Sequence, residues 1–598
     1  MPQPKKDNIG PFTASFLLEP LGAYDFFTPE ELDDQQKDLA KLARDFFKNE
    51  IETEREKVES KQDNIVAKKM KKAGELGLLM AEIPEKYSGL GLNKVSATVI
   101  AENITGWSSF TVPVMAHTGI GTLPVLYFGT EAQRQKYLPK LATGEMLAAY
   151  ALTEAGSGSD ALAARTKAVL SPDGKYYILN GEKMFITNGA FADLFTVFAK
   201  VDGEKFTAFL VERSFPGVSN GKEEHKMGIH GSSTTPLILQ DAKVPVENVL
   251  GEIGKGHKIA FNVLNIGRWK LSAASLGSCK RLIEYVTRYA KERKQFNREI
   301  ASFQAIREKI ALQGICTYLL ESLCYRYAGT LDVARAAHDD TQDDFYFHLL
   351  RMIKGLNIEA SITKVYGSEA LAFVADEAVQ IYGGYGFINE YPPEQFYRDN
   401  RINRIFEGTN EINRLLIVDT LFRRAMKGRL DFMGHLQKIL AGLKTGFPKT
   451  DPKVPLAGWV DQVEDLKRAT IYFAGVAAQK YADGLKEKQS LMMLLADLII
   501  ETYALESGLQ RALKIRKTKG EAASRIAEAM AQVAISEGLP VLKARTRQGL
   551  FDIAAGEEKE FASYEKALDR LLQPKLATVE TLKEEIAKHL LEKESFMV

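Results

Sequence analysis

Apolar residues recur at helical spacing along the first part of the chain. Leu39, Leu42, Ala43, Phe46 and Phe47 fall on one face, and Met70, Ala73, Leu76, Leu78 and Leu79 do so less cleanly. The spacing predicts helices over residues 34–150, with Thr130 placed to cap one that starts at Glu131. Between 151 and 250 the pattern shortens into strand-like runs at 175–181, 194–200, 206–212 and 236–239. Asp173-Gly174, Asn180-Gly181 and Asp202-Gly203 read as tight turns. Helical periodicity returns at 256, where Leu282, Ile283, Val286 and Ala290 share a face, and continues to about 423. Pro448, Pro452 and Pro455 mark a linker, and 461–591 is helical again, with Leu491, Leu494, Leu495, Leu498 and Leu505 in stripes. The pattern predicts a mostly α chain with a central β-domain. Its parts are a helical domain 1–150, a β-domain 151–255, a helical bundle 256–422, a basic segment and linker 423–458, and a further helical domain 459–598.

Composition narrows this picture. A chain of 598 residues holds several domains and large cores. Its 79 Lys and Arg balance 78 Asp and Glu, which argues against a general nucleic-acid binder. Cys279, Cys316 and Cys324 form no C-x-x-C, so neither a zinc site nor a disulfide framework is expected, and a reducing compartment is the simplest inference. Residues 1–10 are polar and lack the apolar core of a signal peptide, and the most apolar run, 491–500, is too short to span a bilayer and contains Asp497. A cytoplasmic protein is expected. Residues 421–447 combine Phe432, Met433, Leu436, Ile439, Leu440 and Leu443 at helical spacing with Arg423, Arg424, Lys427, Arg429, Lys438 and Lys444. That pattern suits peripheral contact with a membrane, and equally a helix packed on its neighbour with a solvated basic edge.

Candidate chemistry concentrates in 378–416. Tyr382-Gly383-Gly384-Tyr385-Gly386 follows an apolar helical run, and glycines there let backbone approach a planar or phosphate group. Arg398-Asp399, Arg401 and Arg404 give a charged segment, and Glu407 stands between apolar residues and Gly408. A carboxylate in apolar surroundings has a raised pKa and suits a general base; an isolated Glu-Gly-Thr is more often an ordinary helix-capping Glu with a C-cap Gly. Thr153 to Asp160 is a small-residue loop whose N–H groups and hydroxyls suit a phosphate or a heterocyclic ring, or are simply loop.

Taken together these strings resemble the acyl-CoA dehydrogenase family. Q-I-x-G-G-x-G-F, R-D-x-x-I and I-F-E-G-T-N-E-I match its C-terminal signature, and F-G-T-E-x-Q-x-x-K-Y-L-P-x-L-A-x-G-E at 128–145 matches its N-terminal domain. Tyr150 to Asp160 and Lys183 to Asn188 match its two flavin strings. The resemblance implies an N-terminal helical domain, a barrel-like middle domain, a C-terminal four-helix bundle and FAD. It implies FAD contacts from Tyr150, Leu152, Thr153, Ser159, Phe185 and Thr187, where Phe185 replaces the usual Trp and loses the indole N–H. Arg293, Gln295, Phe296 and Gln304 are implied to reach a partner subunit's FAD across a homodimer, with Gln380, Gly383 and Gly384 near the adenosine half and Thr409 and Glu411 near the pyrophosphate. Ser159, Asn265, Arg268 and Gly408 are implied at the substrate, Arg268 at the mouth of the site. No metal is implied. Gly267 stands where some members carry their base, so no second carboxylate competes with Glu407; this and the appended helical domain resemble the very-long-chain branch.

The implied reaction is α,β-dehydrogenation of a long-chain acyl-CoA to a trans-2-enoyl-CoA in fatty acid β-oxidation. Glu407 takes the α-proton, a β-hydride passes to flavin N5, and electrons go on to an electron-transfer flavoprotein. An acyl-CoA oxidase and an FAD-bound assembly scaffold share the resemblance, the intact Glu407 arguing against a purely structural role. A DNA-binding relative is a distant option given the near-neutral charge. Gly119 and Gly121 are expected to deepen the acyl pocket, so that Gly119→Gln curtails activity on long chains and spares short ones.

Overall fold

The computed structural model describes residues 14–337 and 345–598; the reading of residues 1–10 as free of a leader lies outside them. The N-terminal helices form where the spacing predicts them. Asp33 accepts from the Gln36 N–H while the Gln36 side chain reaches back, a reciprocal cap that starts Asp34–Phe46, and Ala43, Phe46 and Phe47 are buried. Thr130 and Gln133 form the same box at the start of Glu131–Thr143. The Gln133 amide also donates to the Glu247 and Val249 carbonyls, which ties that helix end to the β-domain. The less regular second stripe breaks for a visible reason. Ile65–Glu75 stops before Leu76, and Gly77, at φ 83°, closes it with the Leu78 N–H on the Ala73 carbonyl. Leu76 is left exposed.

The middle of the chain is one sheet: β1 Ala148–Ala151, β2 Lys167–Leu170, β3 Tyr176–Thr187, β4 Leu194–Val201, β5 Lys205–Glu212, β6 Val218–Asn220, β7 Thr234–Pro245 and β8 Val249–Leu250. Its order is β6-β7-β3-β2-β4-β5-β8, with β1 parallel to β4. The sheet packs on a core of its own, built from Leu179, Phe195, Val197, Phe209, Leu239 and neighbours. Gly174 and Gly203 occupy turns, as expected. Asn180-Gly181 is not a turn: it lies inside β3, where the register against β7 slips between Leu179 and Gly181. The glycine is required by close approach, since a Cβ there would stand 2.5 Å from Thr166 Oγ1. β1, β2, β6 and β8 were not foreseen, being only two to four residues long.

Helices Gly256–Glu292, Gln304–Ala336, Asn357–Tyr382 and Asn410–Met426 form the C-terminal bundle. The appended helices, from Ala457–Tyr481 to Val579–Lys593, share one continuous core with both helical parts. Residues 421–447 are not one amphipathic helix. Asn410–Met426 ends ahead of Gly428, at φ 63°, and Asp431 caps Phe432–Thr445 by accepting from the Gly434 N–H. Arg424 is no surface charge, because it donates to the Gly355 carbonyl and Asn357 Oδ1. Phe432 and Ile439 are buried, and Leu436 packs on Gly475, so most of the apolar face is used internally. Met426, Met433 and Leu440 remain exposed. Among the described residues no helix is long and apolar enough to cross a membrane.

Candidate active site

Helix 357–382 ends at Gly383, at φ 60°, and the chain returns through Pro392–Asn400 and the turn Arg401–Arg404 to reach Glu407. Glu407 and Gly408 are both left-handed, at φ 57° and 82°. A non-glycine residue held there costs about 1–3 kcal/mol and persists only when its surroundings over-determine it. Here they do. Thr409 caps Asn410–Met426 by accepting from the Ile412 N–H. The Asn413 amide donates to the carbonyls of Gly408 and Thr409 at 2.8 and 3.0 Å. Arg268 Nε donates to the Glu407 carbonyl at 3.2 Å, and its Nη1 to Asn265 Oδ1 at 2.7 Å. Arg268 is therefore buried beneath the turn and braces it with Nε and Nη1, in place of the exposed position at a mouth that was expected, and burial pulls its guanidinium down to about 10 against the charge of Glu407.

The strained turn aims the Glu407 carboxyl at helix 256–292. A Cβ at Gly267 would stand 2.5–2.7 Å from the carboxyl atoms, so the missing side chain at 267 is the space the carboxyl occupies. Glu407 Oε2 is sealed from solvent and has no hydrogen-bond donor. Burial raises this carboxyl to about 7, against the pull of Arg268 and Lys364. The buried Tyr150 hydroxyl, from β1, also lacks a partner; burial, then the charge of Glu407, raises it. Lys364 was not foreseen. It is fully buried, donates to Asn410 Oδ1 at 2.6 Å, and is brought down to about 7 by burial against the opposing charge of Glu407. The available signal was a lone lysine among buried positions of an apolar helix.

A second set lies on the sheet. The register of β3 against β7 slips again between Lys183 and Ile186, and the bulge holds Phe185 at φ 58° with its ring 60% exposed. Glu154 fixes the adjoining loop: it accepts from the Arg165 and Thr166 N–H groups, from Thr166 Oγ1 and from Lys183 Nζ, all at 2.5–3.1 Å. Thr153 joins the loop to the bulge through its carbonyl and the Met184 N–H at 2.8 Å. Among the described residues, no hydrogen bond within the chain uses the hydroxyls of Thr153, Ser159 or Thr187, and Leu152 is buried behind them. A rigid loop with uncommitted hydroxyls beside an exposed aromatic face fits a planar heterocycle such as a flavin.

The third set stands apart. Arg293 and the hairpin bearing Gln295 project from the end of helix 256–292, with Phe296 87% exposed. Tyr289 stacks on Tyr382 at 3.8 Å and Arg293 lies over Tyr385 at 5.2 Å, which gathers these residues with Gln380, Gly383 and Gly384. A Cβ at either glycine would meet nothing within 4 Å. No hydrogen bond or ring contact joins this cluster to the Thr153–Phe185 set among the described residues. Gln304 is engaged elsewhere, its amide donating to Glu580 of the appended domain at 2.7 Å. Glu411 is exposed in the first turn after the Thr409 cap. Asp399 is structural, its carboxylate holding the Ile229 N–H of the β-domain. Gly121 serves packing and not a pocket: a Cβ there would lie 2.8 Å from Ala148 Cβ on β1.

A buried carboxyl oxygen without a donor on a strained turn, and on the sheet a rigid loop with uncommitted hydroxyls beside an exposed aromatic ring, together suit a proton-abstracting oxidoreductase. Family models agree: residues 33–145, 149–242 and 254–422 match the acyl-CoA dehydrogenase N-terminal, middle and C-terminal domains, and 465–563 matches a further acyl-CoA dehydrogenase C-terminal domain. The chain is 43% identical to a probable acyl-CoA dehydrogenase of Bacillus subtilis over 589 residues, 98% of each. It is 40% identical to the very long-chain specific acyl-CoA dehydrogenase of Rattus norvegicus over 470 residues, 73% of this chain and 68% of that one. An acyl-CoA dehydrogenase from Bacillus anthracis, solved in complex with FAD, superposes with a TM-score of 0.96 at 44% identity, covering 98% of this chain and 100% of that one. The chain belongs to the acyl-CoA dehydrogenase family of FAD-dependent oxidoreductases, with an additional C-terminal helical domain.

Proposed function

We propose that this enzyme desaturates long-chain acyl-CoA thioesters between Cα and Cβ, with Glu407 as the base. The observation that carries this is the Glu407 carboxyl: its Oε2 is sealed and without a donor, and burial raises it to about 7, where a base balances availability against strength. The Cα–H of a thioester is a weak acid until charge on its carbonyl oxygen is received by a donor. The Glu407 N–H has no acceptor among the described residues and stands beside the carboxyl that removes the proton. One such donor aligned on the developing enolate is worth about 3–4 kcal/mol. Arg268 and Asn413 hold both groups in place by fixing the turn, and Gly267 leaves the carboxyl free to reach Cα. FAD, when bound against Thr153, Ser159, Phe185 and Thr187, supplies the acceptor for the electrons that leave with the β-hydrogen.

The likeness to a very long-chain specific relative supports the long-chain preference and a place in β-oxidation. The acceptor we propose is an electron-transfer flavoprotein, approaching at the exposed Phe185 ring. We propose a homodimer as well, because the exposed Phe296 hairpin and the open Gly383-Gly384 corner share no hydrogen bond or ring contact with the chain's own Thr153–Phe185 loop and bulge among the described residues and suit a site completed by a second copy. Anaerobic mixing with a series of saturated acyl-CoAs, followed by flavin absorbance, tests the reaction. Bleaching by long chains in wild type and none in Glu407→Gln is expected; a flavin that no acyl-CoA bleaches refutes the proposal.

A further inference from the structure

We propose that Lys270 is the gate that sets how long an acyl chain this enzyme accepts; the inference rests on the reading of the Glu407 site given above. Gly267, which faces the Glu407 carboxyl, and Lys270 are three residues apart on helix 256–292 and so share a face. A chain whose Cα lies at Glu407 and that runs along this face meets Lys270 one turn on. The lysine is 5% exposed and tethered at its tip. Its ammonium lies 2.7 Å from Glu82 Oε2 and donates to the Thr118 carbonyl at 3.1 Å. Its stem lies against Gly119, where a Cβ would stand 3.1 Å from Lys270 Cδ, so the space expected of Gly119 is filled by this side chain.

Behind the lysine is a cavity lined by Leu78, Leu79, Ala97, Ile100, Ala101 and Val114, in which Lys270 and Glu82 are the only charged lining residues. Its volume is about 20 Å³, room for one water and not for an alkyl chain. An apolar cavity closed by a fully engaged lysine is a continuation of the acyl path that the lysine occupies. Glu82 keeps a second counter-ion in Lys94, so removing Lys270 does not leave a buried carboxylate alone.

The test is the chain-length profile of kcat/KM for the holoenzyme, wild type against Lys270→Met and Lys270→Ala, with thermal midpoints and flavin content alongside. Wild type should lose activity beyond one chain length. Both variants should move that limit to longer chains, the alanine variant further, and the long-to-short ratio should rise about fourfold per methylene newly accommodated. Lys270→Met keeps an apolar stem for the packing but loses the tether to Glu82 and Thr118 that pins the side chain in the path, so it can swing aside, and it reports even if the alanine variant does not fold. Profiles that superimpose in wild type and variants overturn the gate while leaving the reaction standing. A wild type that no acyl-CoA bleaches overturns the reaction itself, and the gate with it.

Discussion

Two buried glutamates border helix 256–292 about one turn apart, and they behave in opposite ways. Glu407 faces Gly267 and is raised to about 7; Glu82 faces Lys270 and is held at about 2. Burial pushes both upward, so depth does not separate them. Each also has two cations nearby. Glu82 is clasped directly by Lys94 and Lys270. The cations beside Glu407 are turned away from its carboxyl: Arg268 holds the residue's own carbonyl and Asn265, and Lys364 holds Asn410. A buried carboxyl stays raised where its neighbouring cations are committed to other groups, as the proposed base requires, and is held down as a structural anchor where they clasp it directly.

The largest expected effect is on chemistry. Glu407→Gln keeps the shape and removes the proton acceptor, so kcat should fall by about 10³–10⁴-fold with flavin still bound. Activity within tenfold of wild type would mean that another group takes the proton. The counterpart, Glu82→Gln, should leave the acid–base chemistry and strike stability. It leaves two lysines in the interior without their carboxylate, a loss of about 3–5 kcal/mol, read as a lowered thermal midpoint. An unchanged midpoint would show that the Lys94–Glu82–Lys270 cluster anchors nothing. Gly267→Ala sharpens the contrast from the other side. Its Cβ would press within 2.5 Å of Glu407 Oε2 and displace the base, which should cost about 100-fold in kcat/KM while barely changing flavin content. Full activity would place the working carboxyl elsewhere.

The sequence carried unequal amounts of this. Long periodic helices and the four long strands were legible because burial repeats along them; the four short strands were not, being too short for alternation to appear. Asn180-Gly181 misled because the same dipeptide serves a hairpin turn and a bulge, and only the approach of Thr166 decides which. Glu407, Thr153 and Thr187 stand in contiguous strings, which is why the sequence points to them. Lys364, Lys270 and Glu82 were not, since each acts through a partner distant in sequence, and a buried lysine in a helix reads as an ordinary surface charge until its neighbours are known. Spacing places Arg268 close to Glu407 but does not show that its Nε and Nη1 brace the Glu407 turn.

The smallest effect tests the comparison most closely, because it asks the same residue for both activity and stability. The Glu407 carboxyl titrates near 7 in the folded protein against an ordinary value of 4.5. Between those values the folded state binds more protons than the unfolded one. Its contribution to stability is therefore fully present below pH 4.5 and is lost as pH rises through 7, while kcat/KM of the free enzyme rises over the upper part of the same window as the base ionises. Glutamine cannot ionise, so Glu407→Gln should match wild type at low pH and exceed it in alkaline buffer by about 3 kcal/mol, seen as a thermal midpoint that gains on wild type with pH. Glu82, depressed in place of raised, has the opposite sign: its stabilising contribution is present above 4.5 and is lost as pH falls toward 2. Equal midpoints for wild type and Glu407→Gln across the range would mean that Glu407 is no more strained as an anion than Glu82, and the distinction between the two sites would fall.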